Sequence, residues 1–183
     1  MTSTHTATYA TLAERLISLD MISPDTAQEV LDEAVDRQHE ELDGEELSYA
    51  LTYFGVAIAV YAESVEDEDL ESAYASMLDD AATCTGGTMT IGDVTLTTDS
   101  DGSDMLRFVC NGETFEWLLD HDWGGLDHMG IWDQMPLLDP GNGKAFLAIE
   151  QEQSGESFFV LATDEQARVL IEEFGVRLEL DED

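Results

Sequence analysis

Basic side chains are almost absent from this chain. Its 183 residues include 42 Asp and Glu but only 6 Lys and Arg, which gives a formal net charge of −36. Residues 1–84 hold 20 acids and 2 bases and residues 85–183 hold 22 and 4, so each part carries −18. The acidity is therefore a property of the whole chain. Like-charge repulsion argues against direct binding to nucleic acid or to an anionic membrane, whereas it favours a basic protein as partner.

Cysteine is also scarce, with only Cys84 and Cys110. Neither belongs to a C-x-x-C pair, so we expect no zinc site built on cysteine. The N-terminus lacks the basic region and the apolar stretch of a secretory signal. These features predict a cytoplasmic protein with reduced thiols, and the sequence leaves a disulfide between the two cysteines open.

Long uncharged runs are missing too. The longest, Leu47–Ala62, has sixteen residues, whereas about 20 are needed to cross a bilayer, and no Lys or Arg flanks it. We therefore expect no membrane span. Apolar residues surround nearly the whole circumference of this run when it is drawn as a helix, so it is predicted to be a central buried helix. Asp43 and Glu46 form a capping-box pair that predicts its start.

Three further amphipathic patterns precede Cys84. The first predicts a helix over Thr8–Leu19, and the third a helix over Val65–Ala82. The second begins at Ser23 and Pro24, and its apolar stripe continues as far as Leu42. With the central helix they form a run of about four helices.

Beyond Gly87 the period changes to that of strands. The strands of a predicted antiparallel meander are Val94–Thr98, Met105–Cys110 and Glu113–Leu118. Asn111 and Gly112 supply a type I′ turn between the last two. Further strands are predicted over Phe146–Glu150, Ser157–Ala162 and Val176–Leu180, with Ser154-Gly155 as the turn between the first pair and a capped helix over Asp164–Phe174 before the last.

The segregation of these patterns predicts an α+β fold. About four N-terminal helices pack on a C-terminal antiparallel sheet that carries one further helix. We predict a single compact domain over residues 1–183, with a helical lobe at 1–84 and a β-rich lobe at 85–183.

Two loops contain side chains that could bind a metal ion or take part in catalysis. In the loop from Asp99 to Asp104, placing Gly102 at the sixth position of a calcium loop puts Phe108 where a bidentate Glu is required, so we predict a solvated hairpin loop. His121 and His128 lie among carboxylates, but their spacing of seven matches no ligand motif. They are predicted to be surface histidines, with an enzyme or metal site in the 120–133 loop as the minor alternative.

The second predicted helix carries a stripe of carboxylates that we predict to be partner-binding. Its members are Glu29, Asp32, Glu33, Asp36 and Glu40. Acids three and four residues apart lie about 5–6 Å from one another along a helix, comparable with the spacing of phosphates in a nucleic-acid strand. An ordinary solvated face is the alternative, but such faces normally mix both signs. Trp123 and Trp132 are predicted to be short-range anchors, with a small satellite core as the alternative.

No catalytic, cofactor or metal motif occurs, so we predict a non-enzymatic protein without cofactor that captures a basic protein. In size and acidity the chain is similar to bacterial immunity proteins, which block nuclease toxins, and to DNA-mimic antagonists of defence enzymes. The main alternative is a halophilic cytoplasmic protein whose acidity is an adaptation to salt.

Overall fold

A computed structural model describes residues 6–61, 65–122, 124–151 and 156–180. The fold is α+β, as predicted. The helices are α1 Tyr9–Ser18, α2 Pro24–Glu33, α3 Gly44–Tyr53, α4 Leu70–Cys84, α5 His128–Gln134 and α6 Asp164–Phe174. The strands are β1 Ala57–Tyr61, β2 Ile91–Thr98, β3 Asp104–Cys110, β4 Glu113–Leu119, β5 Ala145–Ile149 and β6 Glu156–Ala162. Short 3₁₀ turns at Asp67–Asp69 and Met135–Leu137 adjoin α4 and α5.

The prediction of one helix over Leu47–Ala62 is wrong. The capping box of Asp43 and Glu46 starts α3 as expected, but the helix ends at Tyr53. Gly55 then adopts a φ of +76°, a left-handed conformation that ends helices. The β-branched residues that follow favour a strand, and β1 takes up the rest of the apolar run. A strand therefore interrupts the predicted run of four helices.

The second predicted helix is shorter than its apolar stripe. It starts at the predicted Ser23 cap and Pro24 but ends at Glu33, and turns follow. Leu42 is buried without being helical, while Val35 is 64% exposed. The stripe therefore does not continue as one helical face, because the chain turns after Ala34.

The chain forms two compact units. The first comprises Met1–Ala59, Leu147–Ser154 and Phe158–Asp183, and the second comprises Val60–Phe146 and Gly155–Ser157. The single domain with lobes divided at residue 84 stays a prediction of the sequence.

The core of the first unit is formed by the apolar faces of its helices. Leu12, Leu51, Phe158 and Leu170 are among its fully buried members. Capping boxes at Thr8, Asp43 and Thr163 start three of the helices. A three-stranded sheet has the order β1-β6-β5.

The last predicted strand, Val176–Leu180, is reduced to one bridge. Gly175 closes α6 in the left-handed conformation, as predicted. Leu178 then pairs with Ile149 in an isolated antiparallel bridge, and no extended ladder forms in this described stretch. The predicted turn at Ser154-Gly155 lies outside the described residues.

The second unit contains the predicted antiparallel meander, with strand order β2-β3-β4. Asn111 and Gly112 have φ values of 52° and 85°, which confirms the type I′ turn. On the core face Phe108 meets Trp117 edge to face, with ring centroids 4.9 Å apart. Helix α4 buries the predicted inward set of Leu70, Tyr74, Met77, Leu78 and Ala81.

Candidate functional site, an acidic cleft

An open cleft of about 1050 Å³ lies within the second unit. It is bordered by the start of α4, the ends of β2 and β4, and the loops next to these strands. Half of its sixteen described lining residues are acidic, and none of the sixteen is Lys or Arg. The acidic lining residues are Asp67, Glu68, Glu71, Asp101, Asp104, Asp120, Asp122 and Asp127.

Three polar side chains form a hydrogen-bonded chain at this cleft: Asp104 and His121 line it, and Tyr74 is buried. The Tyr74 hydroxyl is 2.8 Å from Nε2 of His121, and Nδ1 of the same imidazole is 2.5 Å from a carboxylate oxygen of Asp104. Thr98 donates its hydroxyl to the second oxygen of Asp104 at 2.5 Å. The side chain of His121 is only 7% exposed, so this network fixes the histidine inside the unit. The prediction of His121 as a surface histidine is therefore wrong.

The hydrogen bonds of this network are all satisfied when His121 is neutral. Nδ1–H then donates to Asp104, and Tyr74 donates to Nε2. The Tyr74 oxygen also accepts the backbone N–H of Asp127 at 2.8 Å. Both imidazole nitrogens of His121 are thus hydrogen-bonded to protein groups.

Two pKa shifts in the network also fit a structural role. Burial raises the pKa of Tyr74 well above that of a free phenol, which opposes formation of a nucleophilic phenolate. Hydrogen bonds from Thr98 and then from His121 lower the pKa of Asp104, so this carboxylate stays ionised and fixed.

Asp127 organises the loop that closes one side of the cleft. One of its carboxylate oxygens accepts the N–H of Gly130 at 3.0 Å and thereby caps α5. The other accepts the N–H of Asp120 at 2.9 Å. Asp120 in turn accepts the N–H of Asp122 at 2.9 Å. Carboxylates of this loop thus accept hydrogen bonds from the backbone N–H groups of Asp120, Asp122 and Gly130.

Four cleft carboxylates take no part in the fold. Asp67, Glu68, Asp101 and Asp122 are exposed, and their side chains make no hydrogen bond or ion pair within the described residues. The remaining acids of the lining accept hydrogen bonds; Glu71, for example, accepts the N–H of Leu96 at 3.0 Å. The cleft therefore presents four free negative charges on a rim fixed by the others.

The other chemistry-bearing residues do not form a second site. Asp99 accepts the N–H groups of Asp101 and Ser103, which fits the predicted hairpin loop. His128 contacts the Ser157 hydroxyl at 3.1 Å. Among the described residues, no group of three His, Cys, Asp or Glu side chains is arranged to hold a metal. No disulfide joins Cys84 and Cys110, which settles the pairing that the sequence left open.

The carboxylates predicted to bind a partner from α2 lie in the first unit and are all exposed. Glu29, Asp32 and Glu33 lie on the helix, whereas Asp36 and Glu40 lie on the turns that follow it. Glu40 forms an exposed ion pair with Arg37 at 3.1 Å. The predicted linear array is thus a helical group of three acids followed by two in a different geometry.

The predicted aromatic anchors have different environments. Trp132 is half-buried on α5, and Trp123 lies outside the described residues. Nearby, Trp117 and Met135 are buried in the second unit, while Met129 is 69% exposed.

The sequence predictions missed the network of Tyr74, His121 and Asp104. One signal was present, because Tyr74 was predicted to face inward and a buried tyrosine hydroxyl needs a hydrogen-bond partner. The identity of that partner depends on contacts across 47 and 17 residues of chain, which no local pattern reveals.

Comparison of the chain with family models, with curated proteins and with solved structures finds no match. No helix within the described ranges is both long and apolar enough to cross a membrane.

Proposed function

We propose that this protein is a non-enzymatic binding protein whose acidic surface captures a basic protein. The partner class that fits best is a protein that itself binds nucleic acid, such as a nuclease toxin or a DNA-binding defence enzyme. On this proposal the protein acts as an inhibitor, in the manner of an immunity protein or a DNA mimic.

One observation carries the proposal: the free carboxylates at the mouth of the cleft. Asp67, Glu68, Asp101 and Asp122 surround one opening without a basic residue in the described lining. These negative charges line one opening whose described lining contains no Lys or Arg, and the field of like charges in a cleft attracts cations strongly. A Lys- or Arg-rich surface that normally binds phosphates offers the complementary charge. Asp127 and Glu71 hydrogen-bond to the backbone around the cleft, so the binding surface is already ordered and the entropy cost of binding is small.

The α2 carboxylates provide a second acidic face in the first unit. Glu29, Asp32 and Glu33 remain candidates for contact with the same class of partner, and Trp132 remains a candidate anchor. Binding through such charges should be fast and should weaken steeply with salt, because charge complementarity acts mainly on the association rate and on specificity.

The test uses a basic DNA-binding domain as probe, at about 0.15 M salt, where exposed charges act over roughly 8 Å. We compare wild type with the triple variant Asp67→Lys, Glu68→Lys, Asp122→Lys. The matched control, Glu14→Lys, Asp79→Lys, Glu165→Lys, changes the net charge equally at exposed positions outside the cleft lining. We expect the cleft variant to bind at least tenfold more weakly and the control to bind within threefold of wild type.

Competition supplies the second readout. Double-stranded DNA should displace the protein from the probe, and DNA alone should not bind the protein. Equal losses in both triple variants would show that the association is only a consequence of net charge, and the proposal would fail.

A further inference from the structure

Strand β4 forms an outer edge of the meander, with β3 as its hydrogen-bonded neighbour. The type I′ turn makes Cys110 and Glu113 a hydrogen-bonded pair, and such pairs then recur at every second residue. The backbone groups of Thr114, Glu116 and Leu118 must therefore point away from β3. Within the described part of the chain no backbone group is hydrogen-bonded to them.

The opposite edge of the same sheet is protected. On β2 the outward N–H of Leu96 donates to the Glu71 carboxylate at 3.0 Å, and α4 packs against this strand. An irregularity between Gly92 and Thr95, with Asp93 at a φ of 54°, breaks its ladder. Irregularities and covering elements are recognised means of preventing strand addition. The register of β4 with β3 is unbroken, and α5 packs against β4, where Asp127 accepts the N–H of Asp120 just beyond the strand. The outward backbone groups of Thr114, Glu116 and Leu118 have no such partner within the described residues.

What does protect β4 is negative charge. Glu113 and Glu116 are exposed, and β4 carries no Lys or Arg. A second copy pairing in antiparallel fashion would bring these acids close together, and like charges opposite one another destabilise a sheet. The total charge of −36 adds repulsion between copies. Charge therefore disfavours pairing of this edge with a second copy of β4 and favours pairing with a basic strand.

The side chains along this edge define the strand that would fit. Thr114, Glu116 and Leu118 share one face of the sheet, since they are two residues apart. Leu118 is 63% exposed, so a large apolar side chain there has no cover. Glu116 forms only a long ion pair, 3.7 Å, with the exposed Arg107, so its carboxylate can also accept a bond from a partner. A partner segment with an apolar residue opposite Leu118 and a Lys or Arg opposite Glu116 satisfies both.

We propose that the outer edge of β4 binds an extended basic segment of the partner protein as a fourth strand. Backbone hydrogen bonds to Thr114, Glu116 and Leu118 supply the affinity, and the charge of β4 supplies the selection for a basic sequence. Leu118 also lines the acidic cleft, so the added strand lies beside the free carboxylates. The inference rests on the proposed function, because it specifies how the basic partner is held.

The probe is a capped seven-residue peptide, Lys-Lys-Val-Val-Lys-Lys-Val, in which lysine and valine alternate along each face of the strand. It is titrated at about 0.15 M salt. Its control has the same sequence and charge but carries N-methyl groups on alternate residues, which remove the hydrogen bonds of one edge. We expect the unmethylated peptide to bind wild type at least tenfold more tightly. In hydrogen exchange, the amides of Thr114, Glu116 and Leu118 should gain protection on binding.

The variant Thr114→Pro removes one outward N–H without touching the bonds to β3, and edge strands tolerate proline at such positions. Its peptide affinity should fall to that of the methylated control, while Thr114→Val should keep the wild-type affinity. Equal binding of both peptides by wild type would overturn the strand addition yet leave the proposed function intact. Weaker binding of the basic DNA-binding probe by the cleft variant, with an unchanged preference for the unmethylated peptide, would support both proposals. A stable dimer through β4 in sedimentation would also overturn the inference, because the edge would then serve a second copy.

Discussion

The acids of α2 and the acids of the cleft contribute alike to the net charge, but the structure uses them differently. On α2, Asp32 only accepts a hydrogen bond from exposed Gln28, at 2.7 Å. In the cleft, Asp104 and Asp127 each accept two hydrogen bonds that join separate parts of the second unit. Net charge alone therefore does not indicate which carboxylates can be removed. The cleft acids divide into those that hold the fold and those that remain free to bind.

The largest stability effect should come from Asp104→Ala. It leaves the buried Nδ1–H of His121 without its acceptor, and an unsatisfied buried donor costs about 1–3 kcal/mol. The exposed hydroxyl of Thr98 loses the same partner but can bind water. Trp117 and Trp132 lie in the second unit, so urea unfolding followed by tryptophan fluorescence reports on this unit. The matched control is Asp32→Ala on α2, which should change the free energy of unfolding by less than about 0.5 kcal/mol. Equal effects would erase the distinction between the two groups of acids.

A smaller loss is expected from Asp127→Ala. The change removes the cap of α5 and the acceptor for the N–H of Asp120, and loss of an N-cap typically costs about 1 kcal/mol. Asp127→Asn should recover part of it, since an amide oxygen also caps helices. Hydrogen exchange at Gly130 and Asp120 should accelerate in the alanine variant. Unchanged exchange there would mean that the 120–127 loop is held by other contacts.

The pH dependence of stability sharpens the same comparison. The folded-state pKa of Asp104 is lowered by Thr98 and His121, below an ordinary value of about 3.9. A lowered pKa contributes stability above the unfolded-state value, and that contribution is lost as the pH falls through the folded-state value. The difference in unfolding free energy between wild type and Asp104→Asn should therefore be constant above about pH 5 and shrink below about pH 4. A difference that stays constant down to pH 2.5 would contradict the role given to this carboxylate.

The sequence predicted correctly those elements whose conformation is determined by a few adjacent residues. The Asn111-Gly112 turn and the Thr163 capping box were predictable because each is determined within four residues. The run from Leu47 was not, because an apolar stretch of this kind fits a buried helix and a buried strand equally well. Gly55 decided the outcome there by ending α3.

The candidate site shows the same limit. The acidity of the cleft segments was visible in the sequence, but their convergence on one opening was not. Residues from the start of α4 meet residues more than 30 positions later, and only the folded chain places them together. Nor could the sequence distinguish acids that accept hydrogen bonds within the fold from acids that do not. Asp101 and Asp104 are the same residue type, and only Asp104 lies within reach of Thr98 and His121.

The smallest stability effect should come from reversing the α2 acids, and this makes it the clearest test of what they are for. Replacing Glu29, Asp32 and Glu33 by Lys changes only exposed side chains, so the fold should remain and far-UV circular dichroism should show an unchanged or slightly higher melting temperature. If α2 contributes to capture, affinity for the basic probe should fall at least tenfold despite the intact fold, and the association rate should fall more than the dissociation rate rises. The control with Glu14, Asp79 and Glu165 reversed has the same net charge and should bind as wild type does. Binding equal to that control would make α2 an ordinary solvated face, and capture would then depend on the cleft of the second unit alone.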